Sequence, residues 1–139
     1  MTRLALLLPL LAVVACGGGH KAASPADVVR AWSVALNRSD DARAGTLFAR
    51  DAEIVQGGTV ATLRTPEEAK EFNHSLPCAG RITKLEVRDD FVTATFVLGE
   101  RPGHACDAPG ATATAVFRVR GGKIVLWHQT AGEPTSPPV

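Results

Sequence analysis

The dipeptide Gly121-Gly122 constrains the fold of this chain more than any other feature, because it separates two segments in which apolar and polar residues alternate. A two-residue Gly-Gly loop adopts the positive φ angles that hairpin turns of type I′ and II′ require. Such a turn places Arg120 opposite Lys123 and thereby sets the pairing farther along both strands. The sequence therefore predicts an antiparallel hairpin over residues 111–130, around which the rest of the domain is expected to pack.

Counting outward from this turn assigns each side chain of the hairpin to a face, since side chains in a strand alternate with period two. The face predicted to point inward is nearly all apolar but also holds a histidine, and it includes Phe117, Leu126 and His128. The opposite face is predicted to carry Val116, Val125 and Trp127. A shift of one residue in the pairing would exchange the two faces.

The bulk composition limits the classes of protein to consider. A chain of 139 residues has room for one domain. Its 15 basic and 14 acidic side chains nearly cancel, so no strong positive field attracts nucleic acid. We therefore expect no nucleic-acid partner.

The first residues resemble a bacterial lipoprotein signal. Arg3 supplies a positive charge, residues 4–14 form an apolar run, and Val13-Val14-Ala15 leads to Cys16. The run is too short to span a bilayer, which favours a cleaved export signal. In lipoproteins of this kind the cysteine becomes the lipidated N-terminus, and two acyl chains hold it stably at a membrane. An ordinary secretory signal and an uncleaved anchor are the alternatives.

This interpretation divides the chain into four segments. They are a signal peptide over residues 1–15, a lipidated Cys16 with a flexible tether to residue 23, a folded domain over residues 24–130 and a disordered tail over residues 131–139. We expect the protein to be exported and anchored by lipid to a bacterial membrane, on its extracytoplasmic or periplasmic face.

Export also bears on the two remaining cysteines, Cys78 and Cys106. Disulfides persist outside the cytoplasm, and lipidation of Cys16 leaves these two as the available pair, so a disulfide between them is predicted. A zinc site formed by these cysteines with His104 and Asp107 is the alternative. The spacing of the four residues does not match a zinc motif, and no metal or other cofactor is expected.

Helix signals precede strand signals in the domain, which predicts an α+β fold. Ser24-Pro25 and Thr65-Pro66 have the form of capped helix starts, with the helices ending near Asn37 and before Pro77. Between them we predict a short helix and a short strand, over residues 42–49 and 51–56. The apolar period then changes to two, which predicts strands over residues 81–88 and 91–98 before the hairpin.

Four segments together resemble the nuclear transport factor 2-like superfamily, and within it the SnoaL-like proteins. They are VVRAWSVALNRSD, LFARDAEIV, TPEEAKEFN and FRVRGGKIVLWHQT, and the similarity extends over residues 26–130. The resemblance implies a cone-shaped fold, in which three N-terminal helices pack on a strongly curved antiparallel sheet and leave a cavity. It does not select a function, because the superfamily includes isomerases, cyclases, hydrolases and non-catalytic modules.

The resemblance to ketosteroid isomerase-like members is incomplete at the residues that carry their chemistry. Where those proteins place a proton-moving carboxylate, this chain has Gln56, which cannot act as a base. They also use a tyrosine, and this chain contains none. His128 remains a candidate for proton transfer, because imidazole titrates near neutral pH. The alternative is that His128 makes one hydrogen bond in the core.

Two functions follow as hypotheses. The first is a membrane-anchored, non-catalytic domain that binds a small apolar ligand or a partner protein. The alternative is a SnoaL-like enzyme that transfers a proton through His128 on a small hydrophobic substrate. The residues expected to contact the ligand are Trp32, Gln56, Asn73, Phe117, Leu126 and His128, although Trp32 at helical spacing also fits a core position.

A homodimer is a further expectation. The predicted outer face of the hairpin carries an apolar patch of Val116, Val125 and Trp127. Exposed apolar patches of this kind mark association surfaces, and many members of the superfamily dimerise through that face.

Overall fold

A computed structural model describes residues 23–130 of the chain. The predicted signal peptide, the lipidated Cys16, the tether up to residue 22 and the tail over residues 131–139 lie outside the described residues. Among residues 23–130, no helix is both long and apolar enough to cross a bilayer.

The described residues form three helices and six strands. In chain order they are α1 (Pro25–Asn37), α2 (Asp41–Thr46), β1 (Phe48–Gln56), β2 (Thr59–Leu63), α3 (Pro66–Ser75), β3 (Ala79–Arg88), β4 (Phe91–Gly99), β5 (Thr112–Arg120) and β6 (Lys123–Thr130). The strands form one curved sheet in the order β2-β1-β6-β5-β4-β3. The predicted α+β fold is confirmed, and the sheet is mixed because β1 pairs with β6 in parallel.

Two of the helices begin where the sequence places them. The Ser24 hydroxyl accepts a hydrogen bond from the backbone N–H of Asp27 at 3.2 Å, and the Thr65 hydroxyl accepts one from the N–H of Glu68 at 3.1 Å. Each bond satisfies a donor that the first helical turn leaves free. Both starts depend on residues within one turn, which is why the sequence alone identified them.

The region between these helices departs from the prediction. Helix α2 ends at Thr46, and Phe48 already belongs to β1, whereas the sequence predicted helix to residue 49. Strand β2 was not predicted at all. It pairs antiparallel with β1 after a turn at Gly57-Gly58, where both residues have positive φ. Most of β2 is exposed, so its sequence lacks the apolar alternation that indicates a half-buried strand.

The hairpin of β5 and β6 begins as predicted and then changes register. Arg120 pairs with Lys123 and Val119 with Ile124, as the Gly-Gly turn requires. A β-bulge follows at Val125, so that Arg118 pairs with Leu126 and all later pairs are shifted by one residue.

The bulge reverses the predicted faces of every β6 residue after Val125. Trp127 is opposite Phe117 on the inner face, and His128 is opposite Val116 on the outer face. The predicted inward position of His128 and Leu126 and the predicted outward position of Trp127 are therefore wrong. The cause is packing: Ile124 and Trp127 are 0% and 4% exposed, although an unbroken strand would send residues three apart to opposite faces.

This change removes the indole from the surface on which a homodimer was predicted. Trp127 is covered by α3, where the Phe72 ring lies 5.1 Å from the indole, centroid to centroid. Val116 remains on the outer face, and Val125 is the inserted residue of the bulge. The apolar patch that motivated the dimer has therefore lost its largest member.

The core lies between the inner face of the sheet and the helices. Trp32 of α1 packs edge-on against Phe117 and Phe96, with ring centroids 5.2 and 6.2 Å apart. On the other side, Phe72 of α3 lies between Phe48 and Trp127. In β3 and β4, Leu85 pairs with Ala94 and Val87 with Val92, so apolar side chains of the two strands lie opposite one another.

The register of β6 makes a direct prediction for stability. Trp127→Ala should lower the free energy of unfolding by about 3–5 kcal/mol, because it removes a buried indole and leaves a cavity. His128→Ala, one position along on the outer face, should change it by less than about 1 kcal/mol. Urea denaturation of the full chain measures both, and a larger loss from His128→Ala would contradict the bulge.

Candidate functional site

A cavity of about 210 Å³ lies between α1, the segment after α3 and the inner face of the sheet. Its wall is mostly apolar, and the large apolar side chains in it are Trp32, Leu36, Leu76, Phe96, Leu98 and Trp127. The side chains with polar groups in the wall are Ser33, Gln56, Asp107, Thr114 and Gln129. This combination of a mainly apolar wall and a few polar groups is typical of small-molecule sites.

Small residues on two strands leave the space that the cavity occupies. Ala113 and Ala115 lie in its wall on β5, and Gly80 lies in its wall on β3. A Cβ atom on Gly80 would come within 2.9 Å of the Phe96 ring, so only glycine lets that ring lie against β3. Gly80 also accepts a hydrogen bond from the Ser33 hydroxyl at 3.0 Å, which fixes α1 to the sheet.

Two glutamines form the polar part of the wall where β1 meets β6. The Gln56 amide donates to the side-chain oxygen of Gln129 at 2.8 Å. The structure thus places Gln56 at the cavity, where the sequence expected a ligand contact. Gln129 was missed, because the predicted register sent its side chain to the outer face and only the bulge brings it inward.

The other predicted contact residues have different positions. Trp32 lies in the cavity wall. Asn73 is fully buried and orients Trp32, since its side-chain oxygen accepts a hydrogen bond from the indole N–H at 2.8 Å. Phe117 is fully buried against Trp32, outside the cavity wall. Leu126 and His128 lie on the opposite face of the sheet.

A buried arginine ties the loop between β4 and β5 to all three helices. The Arg101 side chain is fully buried, and its guanidinium donates to the Asp41 carboxylate at 2.8 Å. It also contacts the backbone oxygens of Asn73 and Leu36, at 3.3 and 3.5 Å. Because a buried charge is costly without a partner, Asp41 is the contact that allows Arg101 to lie there. No local sequence pattern indicates this pair, because its members are 60 residues apart.

Two histidines complete this cluster. The ring of His104 receives a hydrogen bond from Arg101 at 2.8 Å, and His74 contacts the second oxygen of Asp41 at 2.9 Å. Partial burial lowers the pKa of His104 below the ordinary 6.5, and the charges of Arg101 and His74 act in the same direction. His104 therefore serves as a neutral acceptor for Arg101.

The predicted disulfide between Cys78 and Cys106 is confirmed. It joins the segment after α3 to the loop between β4 and β5, and Cys78 lies in the cavity wall. Closing a loop of 28 residues stabilises the fold by roughly 3–4 kcal/mol in the chain-entropy model.

The chemistry of these groups bears on the zinc alternative. Cys78, Cys106 and Asp107 lie close together, but both sulfurs belong to the disulfide and cannot act as thiolate ligands. Asp41, His74 and His104 also lie within ligand distance of one another. In that cluster a ring nitrogen of His104 already accepts a hydrogen bond from Arg101. The positive charge of Arg101 would also repel a metal cation bound there.

The fold is shared with several solved structures. The chain matches an NTF2-like protein of unknown function from Cytophaga hutchinsonii at a TM-score of 0.65 and 12% identity, over 80% of this chain and 92% of that one. It matches a protein with a ketosteroid isomerase-like fold from Catenulispora acidiphila, in complex with trimethylamine, at a TM-score of 0.62 and 24% identity, over 80% and 88% of the two chains.

A third solved structure is described as a candidate polyketide cyclase from Sinorhizobium meliloti. It matches at a TM-score of 0.59 and 17% identity, over 75% of this chain and 94% of that one. Identities this low establish the shared fold and nothing about activity. No protein with a curated description matches the chain. The sequence profile of the SnoaL-like domain matches residues 29–127.

The environment of His104 predicts a dependence of stability on pH. Its pKa is lowered in the fold, so below pH 6.5 the unfolded chain binds more protons than the folded one. The free energy of unfolding should therefore fall as the pH drops from 7 through 6.5, and His104→Gln should make this part of the curve flatter. Urea denaturation across pH 5–7.5 measures the slope.

The matched control for this experiment is His128→Gln, which removes a histidine from the outer face of the sheet. An equal change of slope in both variants would show that the contact between Arg101 and His104 is not the cause.

Proposed function

The chain belongs to the SnoaL-like domain family, and from that premise we propose that its cavity binds a small, largely apolar ligand without catalysing a reaction on it. The observation that carries the proposal is the preformed apolar cavity. Burial of apolar surface supplies the main binding free energy, at roughly 25 cal/mol per Å².

The volume of the cavity sets the size of the ligand. Apolar cavities of about 150 Å³ accept a molecule the size of benzene, and drug-sized ligands occupy roughly 300–1,000 Å³. At about 210 Å³, the cavity is suited to a molecule between these sizes. The complex of the Catenulispora protein with trimethylamine is in keeping with a small ligand.

The polar groups of the wall support binding over catalysis. Proton transfer needs a titratable group within hydrogen-bond distance of the substrate. Gln56 and Gln129 are amides bonded to each other, and the Ser33 hydroxyl donates to a backbone oxygen. The enzyme hypothesis relied on His128, which lies on the outer face of the sheet, away from this wall. That hypothesis therefore lacks the proton carrier on which it relied, and within the described residues the one ionisable side chain of the wall is Asp107, which is exposed to water.

The N-terminal sequence supports the second part of the proposal, that the domain is exported and held at a bacterial membrane by lipid on Cys16. The tether from residue 17 to residue 23 can span at most about 25 Å when extended. Two acyl chains on Cys16 would then keep the cavity close to the membrane surface.

Filling the cavity should abolish binding. Ala113→Leu places a larger side chain in the cavity wall and should reduce ligand occupancy at least about tenfold. Thr112→Leu, the control, places the same side chain at the neighbouring exposed position and should leave occupancy unchanged. Native mass spectrometry of the full chain, purified from its own host, measures the small molecule retained. Equal occupancy in both variants would overturn the proposed site.

Lipidation is tested separately. Cys16→Ser should abolish incorporation of a palmitate analogue and move the protein from the membrane fraction to the soluble fraction, because the acyl chains attach through that residue. Metabolic labelling followed by fractionation measures both effects. Label retained by Cys16→Ser would refute lipid attachment at this cysteine.

A further inference from the structure

We propose that the ligand carries a positive charge, spread over alkyl groups as in an alkylated ammonium ion, and that Asp107 recognises this charge. The inference rests on the proposed function of the cavity and names the chemical class of its ligand.

The charge of the cavity wall is the first observation. Within the described part of the chain, Asp107 is the one ionisable side chain in that wall, and no Lys, Arg or His belongs to it. Over the same residues, no basic group lies within 4.0 Å of the Asp107 carboxylate. A wall with one acid and no base favours a cation over an anion.

The position of the carboxylate is the second observation. One Asp107 oxygen lies 3.5 Å from the sulfur of the buried Cys78. That sulfur carries no hydrogen in the disulfide, so the contact uses none of the acceptor capacity of the carboxylate. Asp107 itself is exposed and therefore lies where the cavity opens to water. The carboxylate therefore remains available to an entering ligand.

The loop that carries Asp107 is held in place and contributes further negative charge. Cys106 is fixed by the disulfide, and its backbone N–H donates to the Glu100 carboxylate at 3.0 Å. The nearby positive charge of Arg101 is bonded to Asp41, on the side of the loop that faces the helices. The charges beside Asp107 therefore do not neutralise it.

The aromatic side chains in the cavity wall favour one kind of cation. Trp32, Phe96 and Trp127 line the cavity, and aromatic rings attract cations, indole most strongly. An alkylated ammonium ion has few or no N–H groups to satisfy, and its methyl groups bury apolar surface. Among the three rings, a primary ammonium would lose hydrogen bonds to water that the apolar side chains there do not replace.

Three probes of similar size test the inference on the full chain. Choline carries the positive charge, 3,3-dimethylbutan-1-ol is its neutral isostere, and 3,3-dimethylbutanoate is an anion of similar size. Isothermal titration calorimetry should show choline binding about tenfold more tightly than the neutral alcohol, with the anion weakest. Asp107→Asn should reduce the preference for choline to about threefold.

The control variant is Glu86→Gln, which removes the same charge from an exposed position on β3 outside the cavity wall. It should leave the preference for choline unchanged. Equal affinity for choline and the neutral alcohol, or an unchanged preference in Asp107→Asn, would overturn the inference while leaving the proposed ligand site intact. If none of the three probes binds, the proposed ligand site falls, and the inference falls with it.

Discussion

One extra residue in β6, Val125, determines which β6 side chains line the cavity. The bulge at this position lets Ile124 and Trp127 both face the core, although they are three residues apart. Gln129, two residues after Trp127, also lies on the inner face, and His128 between them lies on the outer face. A bulge gives up one position of the strand pairing. Burial of the indole under α3 offsets that loss, because a Trp side chain removes a large apolar area from water.

The opposite wall of the cavity depends on a second contact, the buried ion pair of Arg101 and Asp41. Arg101 also contacts the backbone oxygen of Asn73, and the Asn73 side chain holds the indole of Trp32. The disulfide fixes the far end of the same loop. Removal of Asp41 alone would leave a charge without a partner in the interior, which is more destabilising than loss of the whole pair. The position of the cavity wall and the stability of the loop are thus coupled through one side chain.

The chemistry of the cavity follows from these two constraints. The bulge brings Trp127 and Gln129 to the wall, and the loop supplies Asp107 together with Cys106, the disulfide partner of the wall residue Cys78. No element that packs against the cavity brings a basic side chain to its wall within residues 23–130. The fold is shared with proteins of varied description, so the side chains of this wall, rather than the fold, carry the functional argument.

The sequence by itself determined the features that depend on neighbouring residues. The capped starts of α1 and α3 and the Gly121-Gly122 turn each need only a few adjacent positions, and the cysteine pair followed from composition. Only the tertiary structure decided the faces of Trp127 and His128, the burial of Arg101 and the place of Asp107 in the cavity wall. Each of these depends on side chains from distant parts of the chain: Phe72 covers the indole, and Asp41 neutralises the guanidinium. The local pattern of β6 fits either face, and the packing free energy of these distant contacts selects between them.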